Sequence, residues 1–417
     1  MKQLTLIAAI MVGGFVFADW ISDETIEKAA SSWLASDRVA QLTMKGLSFD
    51  RLVHRGSLRI VHLSPSGYIV MSASDIVDPV ISFSRNRFVE SAEGAPFHAM
   101  LEHSDSDVGK HEVDGGGRTV KWAELIGNRD GSKSSARRLM TAEKGSEPSA
   151  ILVEPFMKSH WNQWQPYNDF SAVGNPDVDD QLYRARVACG CVATATAQQV
   201  AYFRWPWYLG GSICCNYMVN RTGEDEPFSM RFDGHVPFDW DALWDTYSWW
   251  WGDARGRVAE SERYPISRLI MWSDVILGSG GSRGSFHNTR DSAVDWYEKC
   301  EECSLEDYSA DTVAKIKADL ESAVPVHVWI LDPYHAVVAH GFASDGESHY
   351  LYLNYGWGGS GDGWYKLYDS PMVCAFTGFR PRKMVQLEPL PRVCTSTTDV
   401  KWHLPLAMPK MFVDLKC

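Results

Sequence analysis

Apolar and polar positions follow both helical and strand-like rhythms in each of two parts of the chain. Near the start, DETIEKAASSWLA has helical character, while SLRIVHLS and GYIVMSASD are strand-like runs joined by the turn formers Ser64-Pro65-Ser66-Gly67. Residues Asp19 to about Val89 therefore predict a small α+β unit. From about Gly115 to Pro148 the sequence is rich in Gly, Ser and charge and poor in apolar periodicity, which reads as a linker open to proteolysis.

A larger unit is predicted from about Ile151 to about Pro389. Its helical signals come first: Val192 to Arg204, PISRLIMWSDVIL, and DTVAKIKADLESA, where Val313, Ile316 and Leu320 share a face. The strand-like runs VPVHVWIL, HAVVAHGF, HYLYLN and GWYKL follow, separated by turn clusters such as Ser344-Asp345-Gly346. Helices that precede a late antiparallel sheet point to an α+β fold rather than a doubly wound one. Leu390 to Cys417 has prolines but no clear period, and no internal repeat is visible.

Composition narrows the classes. Hydrophobic residues make up 45% of the 417 positions and charged residues 22%, as in a globular protein, and the length allows two domains. The net charge of −13, with no long basic run, argues against nucleic acid or an anionic membrane surface as partner. MKQLTLIAAIMVGGFVFADW reads as a signal peptide ending at Ala18, its apolar run from Leu4 to Phe17 being too short to span a bilayer. A secreted protein, extracellular or periplasmic, without a membrane span after processing is the expectation. The tryptophan-rich FDWDALWDTYSWWWGD fits packing better than a sugar-stacking platform.

Nine cysteines are too sparse for a disulfide scaffold, and an odd number leaves a thiol over. Cys300 and Cys303 form a CxxC, but Cys189-Gly190-Cys191 has one intervening residue, so a zinc site is disfavoured and neither metal nor cofactor is expected. Adjacent Cys214 and Cys215 would each need a partner elsewhere, and Cys189 is open to disulfide or inert roles. Cys191 differs because a helix follows it, with Ala193, Ala197, Val200 and Ala201 on one face. A sulfur over the free N–H groups of a helix start should have a lowered pKa.

A nucleophilic thiolate needs a histidine that later protonates the leaving group. Of thirteen histidines, His335 stands out because it begins an apolar strand. Asn354, at the end of the next strand, is placed to accept a hydrogen bond from the imidazole, and Trp357 to shield that bond from water. Cys191, His335 and Asn354 thus follow the papain-like order of nucleophile, base and orienting amide.

These residues carry a resemblance. GCVATATAQQVAYFRWP, YHAVVAHGF and LNYGWGGSGDGWYKL resemble the motifs of the streptopain-like cysteine peptidases, with WNQWQPYN and FDWDALWDTY fitting in order and GYIVMSASDIVDPVISFS resembling a propeptide. The resemblance covers roughly Arg55 to Pro389. It implies an α+β papain-like cysteine peptidase domain at 149–389 behind a small α+β propeptide domain and linker at 19–148, a signal peptide at 1–18 and a tail of unassigned role at 390–417. It further implies Cys191 as nucleophile, His335 as base, Asn354 and Trp357 as its support and cover, and Gln163 as an oxyanion donor beside the Cys191 amide. Polypeptide substrates and the chain's own propeptide as intramolecular inhibitor are the implied partners, and Gly278 to Phe286 resembles a substrate-side wall. Departures from the family pattern are Tyr334 before the histidine, His340 at an acidic position and Tyr355 in place of Trp. His340 and His349 read as structural. Arg137-Arg138 and Lys144 are candidate processing points. A turnover-free binding module, or an amidase or transferase using the same triad, are the competing readings.

Overall fold

Ser22 starts helix α1 (Asp23–Ser36) by accepting the Thr25 amide at 3.3 Å, with Asp23 and Glu24 in the first turn at the positive end of the helix dipole. Ile26, Ala29, Ala30 and Trp33 are its buried stripe, and Trp33 meets Phe83 edge-on at 4.8 Å. The computed structural model describes residues 21–75, 77–88, 120–126, 151–171, 188–210, 213–220, 225–232, 235–247, 260–277, 301–305, 309–330, 335–346, 348–367 and 372–381. The chain divides into two units, Met1–Ala150 and Ile151–Cys417.

In the first unit, Asp37 caps α2 (Arg38–Thr43) through the Ala40 amide at 3.0 Å. Strands β1 (Ser48–Arg55), β2 (Leu58–Ser64), β3 (Tyr68–Ser72) and β4 (Val80–Ser84) then form an antiparallel meander in that order. β2 is buried except for Ser64, and β3 and β4 are buried throughout, which explains why they read as apolar runs. β1, half exposed and polar, leaves no such run.

The stretch read as a linker contains helix α3 (Val120–Ile126). Its Trp122 is fully buried and donates its indole N–H to the Ser74 and Val77 carbonyls at 3.1 and 3.0 Å. A single large aromatic anchors this helix against α1, so periodicity over a long window has nothing to detect.

The second unit begins with β5 (Ile151–Val153) and continues through α4 (Cys191–Phe203), β6 (Tyr208–Gly210), β7 (Ile213–Asn220), β8 (Asp225–Phe232), β9 (His235–Pro237) and α5 (Glu260–Leu277). Then come β10 (Glu301–Ser304), α6 (Ala310–Glu321), β11 (Val326–Ile330), β12 (His335–Ser344), β13 (His349–Asn354), β14 (Gly363–Lys366) and β15 (Met372–Thr377). The antiparallel strand order is β14-β13-β12-β11-β15-β10, with β5 added to the far end of β12, while β6/β9 and β7/β8 are separate two-stranded pairs.

All ten residues of β12 are buried, and helices α4 and α6 both pack against it. Helix α4 packs also on α5, and Val192, Ala193, Ala197 and Val200 join Ile266, Leu269, Ile270 and Trp272 in one core. On α6, Val313, Ile316 and Leu320 are the buried stripe that the spacing predicts. The described part of the tryptophan-rich run packs: Phe238 and Tyr247 are buried, Trp240 lies against the core, and Trp244 is exposed but stacked on Tyr247 at 5.3 Å. Among the described residues, no helix is long and apolar enough to cross a membrane. The first 20 residues, the candidate processing points and the segment after residue 381 lie outside the described residues.

Replacing Trp122 by Ala is expected to destabilise the first unit by about 3 to 5 kcal/mol, the cost of an emptied large aromatic site. Urea unfolding of the full chain measures this. An unchanged curve would mean that the indole anchors nothing.

Candidate active site

Helix α4 starts where Gly190 adopts φ 90°, a conformation that L side chains rarely take, so the chain turns sharply into Cys191. Thr194 secures that turn, giving both its amide (3.1 Å) and its hydroxyl (2.9 Å) to the Gly190 carbonyl. The Cys189 amide donates to the Gln163 carbonyl at 3.0 Å, so the segment carrying Gln163 lies against the approach to the helix. The Gln163 backbone is therefore close in the fold to the Cys191 helix start.

The two cysteines are chemically unlike. Cys189 is buried with its sulfur 3.4 Å from the Thr194 hydroxyl, and burial pushes its pKa to about 12. Cys191 is half-buried, and the backbone amide of Ala336, the residue after His335, hydrogen-bonds its sulfur. The first residues of β12 are thereby brought to the helix start. Both thiols are free, and so is Cys303.

His335 lies buried at the start of β12 with its Nε2 2.8 Å from the Tyr355 carbonyl oxygen. A carbonyl only accepts, so Nε2 carries the proton and Nδ1 is the basic nitrogen of the neutral ring. The Trp357 ring covers the imidazole with centroids 4.3 Å apart, as expected of a shield.

Asn354 does not take the role that its position in the sequence predicts. Its Oδ1 accepts from the Gln198 carboxamide at 3.2 Å and the Gly356 amide at 3.0 Å, while its Nδ2 donates to the Ser159 carbonyl at 2.6 Å. The register explains the difference. Asn354 pairs with Val338, which is three residues and about 10 Å along the strand from His335. The chain turns back after Asn354, at Gly356 with φ 67°, and this return delivers the Tyr355 carbonyl to the imidazole. Asn354 instead ties together helix α4, the opening segment and the returning loop.

The electrostatics also differ from the expectation. Burial pushes the Cys191 thiol up, and hydrogen bonds from the Ala336, Val192 and Cys191 amides pull against it without cancelling it. Burial lowers His335 to about 4, against the Tyr355 hydrogen bond. Neither group is charged on its own account, so a thiolate and an imidazolium arise here as a pair, by one proton transfer. His340 is buried and held neutral near 3, its Nδ1 accepting the Met157 amide at 3.1 Å. His349 bonds the Ser344 hydroxyl at 2.7 Å, so both histidines serve the scaffold as read. The loop from Gly278 to Phe286 and Tyr334 lie outside the described residues.

The Peptidase C10 family model matches residues 161–365, the stretch holding Gln163, Cys191, His335, Asn354 and Trp357. Streptopain of Streptococcus pyogenes is 26% identical over 239 residues, which cover 52% of this chain and 58% of the relative. The match thus spans less than two thirds of that relative's length. A solved fragment of Prevotella intermedia prointerpain A has a TM-score of 0.58 at 21% identity, over 80% of this chain and 98% of that one. This likeness shows the α+β papain-like fold with a preceding small domain.

Two outcomes are expected. In the native full chain, iodoacetamide should modify Cys191 and spare Cys189, with Cys189→Ser leaving the Cys191 reaction intact. Peptide mass spectrometry reads this, and preferential labelling of Cys189 would reverse the assignment. Acid should also destabilise the second unit. His327 and His340, which stand outside the Cys191–His335 pair, both have folded pKa values near 3, below their ordinary 6.5. The unfolded chain therefore binds these protons first. Their contribution is complete above pH 6.5 and is lost as pH falls toward 3, by about 1 kcal/mol per pH unit for each histidine. Urea midpoints that stay constant over this range would contradict it.

Proposed function

Because the Peptidase C10 family model matches residues 161–365, we propose that the chain is an exported cysteine endopeptidase made as an inactive precursor. The observation that carries the reading is the convergence at one point of a half-buried thiol at a helix start, the Ala336 amide on its sulfur, and a neighbouring imidazole whose outer nitrogen is fixed on a carbonyl.

The chemistry follows from that geometry. His335 Nδ1 takes the Cys191 proton, and the thiolate attacks the scissile carbonyl carbon. The tetrahedral oxyanion is met by the Cys191 amide and the Gln163 side chain. The imidazolium returns its proton to the departing amine as the C–N bond breaks and a thioester remains. Water, deprotonated by the same nitrogen, then releases the acid and regenerates the thiol. Throughout, the Nε2 proton stays on the Tyr355 carbonyl and Trp357 covers the ring, so the base keeps one orientation in both half-reactions.

In this reading, the first unit is the inhibitory propeptide, a role supported by the likeness to a precursor form of interpain A. The apolar stretch from Leu4 to Phe17 ahead of it would direct export. Polypeptides are the substrate class.

Cys191→Ala is expected to lower casein cleavage by about a thousandfold or more, and the precursor should persist only in that variant if processing is autocatalytic. Electrophoresis of casein and of the protein itself reads both. Full casein cleavage by Cys191→Ala would sink the mechanism. Wild type that releases ammonia or transfers an acyl group while leaving polypeptides uncut would favour an amidase or transferase.

A further inference from the structure

The carbonyl that orients His335 belongs to a residue that is itself held from the other side. The Tyr355 amide donates to Asp362 Oδ1 at 2.9 Å, and the second oxygen of that carboxylate accepts His160 Nδ1–H at 2.8 Å. The Asp362 side chain is completely buried, whereas His160 is about one-third exposed. Hydrogen bonds thus run from the partly exposed His160 through Asp362 to the Tyr355 amide, and the covalent backbone of Tyr355 carries that restraint to the carbonyl that meets the base of the candidate reaction.

Around this chain the loop is pinned by short-range contacts. The Gly358 amide donates to the Trp161 carbonyl at 2.8 Å and the Asp362 amide to the Gly359 carbonyl at 3.3 Å. His160 gives its own amide to the Asp245 carbonyl at 2.7 Å, and its ring lies against Gly359, where a Cβ would be in ordinary contact at 3.5 Å. Asp362 is the anionic group that these bonds bring to the buried Tyr355.

We propose that Asp362, steadied by His160, is a positioning residue for His335: its carboxylate fixes the Tyr355 residue so that the Tyr355 carbonyl holds the imidazole with Nδ1 free to serve Cys191. The proposal rests on the peptidase reading for its meaning, but its geometry is independent of turnover. Asp362 raises the His160 pKa above its ordinary value of 6.5, against the cost of burial. The other titratable groups facing the chain are Asp245 and His340 beside His160, and His327 beside His335.

The test uses the full chain, activated identically for each variant. One readout is the rate of iodoacetamide reaction at Cys191, resolved by fragment mass spectrometry, from about pH 4 to about pH 10. The other is casein turnover. Wild type should show an acid shoulder in the alkylation profile, the sign of thiolate paired with imidazolium. Asp362→Ala should lose that shoulder by about tenfold or more while its alkaline rate is unchanged, and kcat should fall about 10- to 100-fold with KM within about threefold. Asp362→Asn keeps an acceptor oxygen for the Tyr355 amide and should restore most of both.

A folded Asp362→Ala that keeps the wild-type shoulder overturns the proposal. Should that variant not fold, His160→Ala decides, since it leaves the carboxylate in place without its partner: a lowered shoulder supports the proposal and an unchanged one overturns it. Casein cleavage by wild type but not by Cys191→Ala separately tests the peptidase reading, so the two can fail apart.

Discussion

Helix α4 is enclosed around its circumference, and most of the second unit is arranged to meet that condition. Every residue from Val192 to Val200 is buried, including Thr194, Thr196, Gln198 and Gln199. Buried polar groups need partners, so the side chains on this helix dictate what must come near. Gln199 reaches the Pro325 carbonyl, and Gln198 takes the Trp161 amide while donating to Asn354. The opening segment and the end of β13 are therefore located by the hydrogen-bonding needs of one helix. Its N-terminus is the place where that enclosure ends, and Cys191 stands there half-buried.

Enclosure sets the electrostatic terms as well. A helix start favours a thiolate, and desolvation opposes it; at Cys191 desolvation is the larger effect. Two residues earlier the contest is not close: burial pushes the Cys189 thiol up to about 12, and the neighbouring Thr194 hydroxyl offsets only a little of that. The imidazole is likewise disfavoured as a cation. A site built this way stores its reactivity in the pair, because charge separation is favourable only when both ions form in contact. Orientation of the ring then matters more than the intrinsic acidity of either partner.

How much of this was legible follows from which signals are local. The buried strands β2, β3, β12 and β13 and helices α1, α4 and α6 announce themselves through runs or stripes, because burial and periodicity are recorded residue by residue. The half-exposed β1 and the short helix α3, anchored by Trp122, carry too little pattern to be seen. In the site, Cys191, His335 and Trp357 were readable from residue type and chain order, but the reading of α4 as one-sided was too narrow. The orienting acceptor was not readable, since a backbone carbonyl has no letter in the sequence. Asn354 was the natural guess only because its side chain offers the same oxygen. Asp362 was hidden in a glycine-rich turn for a related reason: it acts on a peptide group, seven residues away in sequence.

That reliance on backbone clarifies where the sequence departs from its family's pattern. Tyr355 stands where a tryptophan is usual, yet what the imidazole uses from this residue is its carbonyl, which any side chain leaves in place. The ring remains useful as packing, stacked near His335 at 5.9 Å and against Trp357 at 4.8 Å and Tyr365 at 5.2 Å, so an aromatic is still favoured. His340 departs in the same tolerant way. It replaces an acidic residue but meets the Met157 amide with an unprotonated Nδ1, which its low pKa preserves across the neutral range. At both positions the substitution retains the acceptor that the scaffold needs. Departures of this kind leave the orientation of the His335 ring intact, whereas a change at Asp362 would reach it through the Tyr355 backbone.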